Sequence, residues 1–187
     1  MLRRRLMMAA QQGGGESWDI DWKYQDGPLE DNGFVKTFSG SASATMLHDG
    51  LHLQAAGGYI RFSPSVEFSK KAILEADFSS IYFAYANGFR LTLSNGSLGC
   101  HIYVNNGAVL YNNGSEIDLL ELQRISENEN VKLRMEKYPD KNIVYINGVE
   151  VLNTKTLSSY YCVKNALFQQ SSGETVLKSL RYKFLEV

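Results

Sequence analysis

The chain has 187 residues, 44% of them hydrophobic and 21% charged, and a net charge of −1 at pH 7. This length can bury the core of one domain, and the small net charge provides no overall field that would attract nucleic acid or an anionic membrane. No apolar run reaches the ~18 residues of a membrane-spanning helix, so the sequence predicts neither a membrane protein nor a nucleic-acid-binding protein.

The chain begins with a basic and apolar segment, MLRRRLMMAAQQGGG. We predict that residues 1–15 form an arm with a glycine hinge and that residues 16–187 form one domain. The apolar part of the arm, residues 6–10, is shorter than the ~7 residues of a minimal signal-peptide core, so we expect no signal peptide and a cytosolic product. The arm is either a disordered terminus or an anchor on a partner protein, in which case the contacting residues are Arg3, Arg4, Arg5, Leu6, Met7 and Met8.

Short runs with a period of two follow, separated by turn signals. From residue 17 onward, Trp18, Ile20 and Trp22 alternate with charged residues, which is typical of a strand with one buried face. Asn-Gly, the strongest short-range hairpin signal, occurs six times along the chain. Further strands are predicted at residues 34–38, 51–55, 59–62, 72–83, 89–93, 98–104, 109–111, 166–170 and 176–185. About a dozen strands with little helix between them predict an all-β fold of two packed antiparallel sheets.

One short helix is predicted at residues 115–124. Ser115 can cap its N-terminus, and Asp118 stands three residues later, in the position of a capping box. Ile117, Leu120 and Arg124 would then lie along one side of the helix.

Residues 131–152, VKLRMEKYPDKNIVYINGVEVL, read as two antiparallel strands, an Asn-Gly turn and a third short strand. This segment resembles a hairpin of the concanavalin A-like lectin/glucanase superfamily, which includes legume lectins, laminin-G domains and family 16 glucanases. The positions that carry the resemblance are Leu133, Met135, Ile143, Tyr145, Asn147, Gly148 and Val151. The resemblance implies a jelly-roll sandwich whose last run, residues 175–187, returns beside the first strand. It implies no activity by itself.

A possible catalytic motif overlaps the predicted helix. Glu116, Asp118 and Glu121 match E-x-D-x-x-E of family 16 glycoside hydrolases, which implies a nucleophile, a tuning carboxylate and an acid/base. Retaining hydrolysis needs two carboxyl groups ~5 Å apart, and on a helix these three side chains would diverge. Both tryptophans, Trp18 and Trp22, lie far from the motif, and no histidine follows it. We therefore prefer a structural helix and keep a family 16-like hydrolase as the alternative.

A better ligand site is predicted on the outward face of the central strands. In residues 89–93 and 98–104 the alternation of apolar and polar residues turns Arg90, His101 and Tyr103 outward, and Tyr82 or Tyr85 could join them. Sugar binding uses such a set, because aromatic rings stack on C–H faces and guanidinium forks meet hydroxyl groups. The alternative is an amphipathic outer face that holds no ligand.

Metal binding has little support in the sequence, so we predict no metal and no cofactor. The three histidines are too few and too scattered for a zinc site: His48, His52 and His101. Many relatives in the superfamily bind Ca²⁺ through loop oxygens, which here could come from Asp26, Asp31 or Asp49, but the chain has no dense acidic loop.

Cys100 and Cys162 are the only cysteines and could form one bridge. Because Cys100 alternates with Leu98 and Ile102, we interpret it as a buried, inert thiol.

Residues 1–15 also resemble the openings of phage and prophage structural proteins of gut bacteria. We therefore predict a non-catalytic, lectin-like module that is assembled in the bacterial cytoplasm and displayed on a virion, as a decoration or as a glycan-binding head. Its expected partners are a glycan and a capsid or tail protein. The alternatives are the hydrolase and a purely structural subunit that oligomerises through an exposed sheet face.

Overall fold

A computed structural model of the chain describes residues 17–64, 71–82, 88–94, 99–113, 119–155 and 165–185, apart from the side chains of residues 80–82 and 165–167. These residues form two antiparallel sheets packed face to face. The predicted all-β sandwich is therefore confirmed.

The strands run in chain order from β1 to β15, with two 3₁₀ helices (Tyr24–Asp26 and Leu29–Asn32) after the first strand. Their bounds are β1 (Ile20–Lys23), β2 (Phe34–Ser39), β3 (Ala42–Leu47), β4 (Gly50–Ala55), β5 (Tyr59–Pro64), β6 (Lys71–Tyr82), β7 (Phe89–Ser94), β8 (Gly99–Asn105), β9 (Ala108–Asn112), β10 (Leu120–Arg124), β11 (Asn130–Lys137), β12 (Lys141–Ile146), β13 (Val149–Lys155), β14 (Asn165–Gln170) and β15 (Gly173–Leu185). One sheet has the order β13-β12-β11-β6-β15-β4-β3, with β1 also paired to β15, and the other has the order β10-β9-β8-β7-β14-β5-β2.

The core lies between the two sheets, where the inward residues of both meet. Phe78 of β6 packs edge-on against Phe89 of β7, with ring centroids 4.1 Å apart, and Phe89 stacks on Phe168 of β14 at 5.5 Å. Trp22 of β1 is fully buried, and its indole N–H donates to the carbonyl oxygen of Gly27 at 2.8 Å. Since each such side chain contributes about 2–3 kcal/mol on burial, these inward positions hold the sheets together.

The double hairpin of β11, β12 and β13 has the form that the sequence predicts. Asn147 and Gly148 both have positive φ (52° and 81°), as a two-residue primed turn requires. The backbone N–H of Asn147 donates to the carbonyl of Lys132, and the Asn147 side-chain oxygen accepts from the Lys132 N–H, both at 2.9 Å.

The chain closes on itself through its last strand. β15 pairs with β1 in the register Ile20↔Tyr182 to Lys23↔Ser179, and with β6 on its other side. The predicted return of the last run beside the first strand is therefore confirmed.

The helix predicted at 115–124 is wrong in its second half. Residues 120–124 form β10, an edge strand that pairs with β9 and contains a bulge between Glu121 and Gln123. Leu120 and Leu122 alternate with Glu121 and Gln123, but the run is short and the strand is mostly exposed, so this pattern does not exclude a helix. Hydrogen bonding to β9 therefore decides its conformation, because a bulged edge strand carries only a weak local signal.

Candidate functional site

One row of side chains crosses the outer face of the seven-stranded sheet. Arg61 of β5 stands opposite Gln169 of β14, Gln169 stands opposite Arg90 of β7, and Arg90 stands opposite Tyr103 of β8. Their neighbours in sequence are buried in the core, so alternation along each strand turns the row outward. We call this row, together with His101 beside it, the arginine face: Arg61, Arg90, His101, Tyr103 and Gln169.

The two arginines of this face converge on one amide oxygen. The side-chain oxygen of Gln169 accepts from Nε and Nη2 of Arg61, at 3.2 and 3.1 Å, and from Nη2 of Arg90, at 3.0 Å. The Gln169 amide nitrogen donates to Oγ of Ser171 at 2.7 Å, which holds the amide in this orientation. Two positive charges are thereby held side by side by a neutral acceptor.

No carboxylate of the described residues forms an ion pair with either of these arginines. The Nε of Arg90 is also buried without a hydrogen-bond partner in the described part of the chain. An uncompensated charge and an unused donor are costly at a half-buried position. The uncompensated charge of the two guanidinium groups therefore suits this face to a ligand that supplies acceptor oxygens.

His101 adds a neutral ring to the face. It shares a hydrogen bond of 2.9 Å with the hydroxyl of Thr92, and its ring centroid lies 5.7 Å from that of Tyr103. Burial, together with the positive charge of Arg90, lowers the pKa of His101 from 6.5 to about 4. At neutral pH the imidazole is therefore uncharged and can donate or accept a hydrogen bond.

Aromatic rings flank both arginines. Tyr103 is half-buried beside Arg90, and the guanidinium of Arg61 lies 4.8 Å from the ring centroid of Tyr59. Rings of this kind offer C–H stacking surfaces next to forked donors, which is the chemistry that recognises sugars.

The sequence predicted part of this arrangement. Arg90, His101 and Tyr103 do share one face, and their binding role stays a prediction. Tyr82 ends β6, a strand of the other sheet, while its side chain and Tyr85 lie outside the described residues.

Sequence reasoning missed Arg61 and Gln169. Arg61 lies between the buried residues Ile60 and Phe62, so its outward direction could have been predicted. The contact between Arg61 and Gln169 could not have been predicted, because 108 positions separate the two residues in the sequence.

The alternative catalytic residues are only partly described. Glu121 lies in β10 opposite Leu110, which stands opposite Tyr103, so it extends the row of the arginine face to the edge of the sheet. Its carboxylate is exposed and accepts from Nε and Nη2 of Arg124, at 3.0 and 3.3 Å. Glu116 and Asp118 lie outside the described residues, so the catalytic assignment stays a prediction.

Two of the residues considered as calcium ligands, Asp49 and Asp26, form local contacts. Asp49 pairs with His52 at 2.8 Å, and Asp26 accepts from the backbone N–H of Lys23 at 2.8 Å. Within the described ranges, no three His, Cys, Asp or Glu side chains are grouped so that they could hold a metal ion. The residues predicted to anchor the arm, and Cys162, lie outside those ranges.

Cys100 is buried, and its thiol donates to the carbonyl of Leu93 at 3.5 Å. Burial raises the pKa of this thiol to about 12, which agrees with the inert thiol predicted from the sequence. In the part of the chain that the structure describes, no helix has the length and apolar character that a membrane crossing requires.

The outer face of the eight-stranded sheet carries a contrasting row, which we call the ion-pair face: Asp21, Glu75, Arg134, Glu136 and Arg181. Arg181 pairs with Asp21 at 2.8 Å and with Glu75 at 3.3 Å, and Arg134 pairs with Glu136 at 2.7 Å. The Trp18 ring lies against both arginines, at 5.5 and 5.8 Å. A shallow cavity of about 330 Å³ opens on this face, with Tyr145 in its lining. Here each arginine is neutralised by a carboxylate of the protein itself.

No family model and no curated protein matches the sequence. The fold is similar to that of solved structures. A sialidase aligns with a TM-score of 0.69 and 9% identity over 90% of this chain, which spans only 19% of the sialidase chain. The carbohydrate-binding module CBM66 from Bacillus subtilis aligns with a TM-score of 0.60 and 17% identity, covering 81% of this chain and 95% of the module. The metal-free carbohydrate recognition domain of Emp46p aligns with a TM-score of 0.56 and 12% identity, covering 79% of this chain and 87% of that domain. At these identities the likeness shows a shared lectin-like β-sandwich fold.

Proposed function

We propose that this chain is a non-catalytic glycan-binding module and that the arginine face holds the sugar. The observation that carries the proposal is the row in which Arg90 stands directly opposite Tyr103 while Arg61 and Arg90 share the Gln169 oxygen. Two of the similar solved structures are named for carbohydrate binding, which supports this function for the fold.

Binding follows from the geometry of the face. A pyranose ring stacks on Tyr103, while its hydroxyl oxygens accept from the guanidinium groups of Arg61 and Arg90. The neutral His101 provides one further hydrogen bond without adding charge. The sheet below is rigid, since its inward side chains are fully packed, so little ordering is required when the sugar binds.

The test is a glycan array with the purified chain, followed by titration of the strongest hits. Tyr103→Ala should weaken binding about ten-fold or more, because it removes the stacking platform. Tyr145→Ala is the matched control, because Tyr145 stands opposite Arg134 on the ion-pair face as Tyr103 stands opposite Arg90. If Tyr145→Ala abolishes binding and Tyr103→Ala does not, the sugar binds the other sheet.

A family 16-like hydrolase is the second candidate, and the position of Glu121 favours it. Glu121 lies on a bulged strand on the same face as the proposed sugar site, and bulges often turn side chains toward a site. The prediction is that incubation with β-glucans releases reducing sugar and that Glu116→Gln stops the release without changing the unfolding midpoint. Absence of any release from the wild-type chain removes this candidate.

Display on a virion is a proposal about the arm and is separate from glycan binding. Deleting residues 1–12 should abolish incorporation into particles while leaving the unfolding transition of the sandwich unchanged. A mass measurement in solution tests the third candidate, a structural subunit that oligomerises through a sheet face: a monomer rules out that function.

A further inference from the structure

We propose that the ligand of the arginine face is an acidic glycan and that the carboxylate of a sugar acid binds at Arg61 and Arg90. This inference rests on the proposed glycan-binding function and specifies its ligand class. It is carried by the placement of the two arginines, by the absence of described carboxylates on the strands next to them, and by the register of Tyr103.

The two arginines converge on one point of the face. Arg61 and Arg90 belong to strands separated by β14, so their backbones are about 10 Å apart. Their guanidinium groups nevertheless both reach the Gln169 oxygen, at 3.0 to 3.2 Å. Like charges held this close repel each other, and a neutral amide does not cancel either charge. An anion bound between them would remove the repulsion.

The described strands next to Arg61 and Arg90 provide no negative counter-charge. The described outward side chains of β2, β5, β7, β8, β9 and β14 include no Asp or Glu. Glu121 on β10 is acidic, but it lies about 14 Å from Arg90 across three strand spacings and is already paired with Arg124. On the ion-pair face, by contrast, Glu75 lies between two arginines and pairs with both.

Arg90 retains N–H donors that no described acceptor uses. Of the Arg90 donors, only Nη2 contacts a described acceptor, so Nη1 and the second N–H of Nη2 remain for a ligand, whereas the buried Nε is out of its reach. A planar guanidinium fork matches a carboxylate in a bidentate arrangement, which a hydroxyl cannot reproduce.

The position of Tyr103 next to Arg90 identifies the anion as part of a sugar. Tyr103 is the cross-strand partner of Arg90, about 5 Å away on the neighbouring strand. In uronic and sialic acids the carboxylate is attached directly to a carbon of the pyranose ring. Such a sugar places its ring on Tyr103 and its carboxylate on Arg90 at the same time.

The experiment compares matched acidic and neutral probes by titration calorimetry with the full chain. Oligogalacturonate is compared with its methyl ester, sialyllactose with lactose, and a sulfated lactose serves as the non-carboxylate anion. We expect one of the acids to bind about ten-fold or more tightly than its neutral partner, with the preference falling as salt is raised.

Equal binding of acid and neutral partner overturns this inference but leaves the proposed function intact. Tighter binding of sulfated lactose than of either acid overturns the carboxylate assignment. Binding of none of these probes, and of nothing on a glycan array, overturns both proposals.

Single substitutions test which residues cause the preference for acidic sugars. Gln169→Glu, which supplies an internal carboxylate of the same shape, should remove the preference for acids, and Arg90→Gln should reduce binding of the preferred acid about ten-fold or more. Arg124→Gln is the matched control, because it removes one positive charge from the same sheet at an exposed edge. A preference that survives both Gln169→Glu and Arg90→Gln, in variants whose unfolding midpoints show that they fold, overturns the assignment.

Discussion

The two outer faces of the sandwich use the same arrangement with one difference. On each sheet a central strand places one residue between two arginines of the neighbouring strands. On the ion-pair face that residue is Glu75, between Arg134 and Arg181, and on the arginine face it is Gln169. Both central residues are buried, with 5% and 8% of their surfaces exposed. One face is therefore internally neutralised, whereas the other retains positive charge that a ligand can use.

The largest expected effect comes from making the ion-pair face resemble the other face. Glu75→Gln leaves two arginines without their shared carboxylate, so we expect the free energy of unfolding to fall by about 2–3 kcal/mol. Urea denaturation at pH 7 measures this change, and glycan binding should remain unchanged. A loss below about 0.5 kcal/mol would mean that solvent screens the ion pairs of Glu75. The difference between the two faces would then contribute little to the free energy of unfolding.

The pH dependence of stability tests the environment of the arginine face. Burial and Arg90 lower the pKa of His101 to about 4, below its value of 6.5 in the unfolded chain. Between these values the unfolded state takes up a proton that the folded state does not, so stability is lost as pH falls from 6.5 toward 4. The expected loss is about 1 kcal/mol, since partial exposure screens the effect.

His101→Gln supplies the control for this measurement. Its urea midpoint should fall less steeply than that of the wild type over the same pH window. Equal slopes for the two proteins would show that the pKa of His101 is close to its ordinary value in the folded state.

The reciprocal exchange should stabilise the protein. Gln169→Glu places a carboxylate between Arg61 and Arg90, and we expect the free energy of unfolding to rise by about 1 kcal/mol. The gain should shrink in an Arg90→Gln background, which a double-mutant cycle measures. An unchanged or lower stability would indicate that the two arginines are already neutralised by residues outside the described ranges.

The smallest effect is expected at the sheet edge. Glu121 and Arg124 are exposed and form an ion pair along one strand, so Arg124→Gln should change the unfolding free energy by less than about 0.5 kcal/mol. A larger change in thermal or urea unfolding would show that β10 depends on this pair, and Arg124→Gln would then no longer serve as a neutral control.

Sequence reasoning succeeded where local pattern and structure agree. The hairpin at Asn147-Gly148 was predictable because two consecutive positive φ values need those residue types. It failed at β10, where only four residues alternate in a mostly exposed strand, and it overlooked β3, whose residues 42–45 are all small or polar and whose strand is also mostly exposed. In both strands, hydrogen bonds to the neighbouring strand determine the extended conformation, because the local sequence pattern is too weak to do so.

The part of the candidate site that lies within one hairpin was also predictable from local pattern. The alternation within β7 and β8 was sufficient to place Arg90, His101 and Tyr103 on one face, because the two strands form a hairpin and the period of two sets the direction of each side chain.

The sequence by itself determined the strands with regular alternation, the primed turn and the outward direction of individual side chains, since these depend on local sterics and on a period of two. Only the tertiary structure decided that β14 lies between β5 and β7, and so brought Arg61, Gln169 and Arg90 together. Strand order depends on how the whole core packs, and no local pattern carries that information. The uncompensated charge that we assign to ligand binding is therefore a property of the assembled sheet.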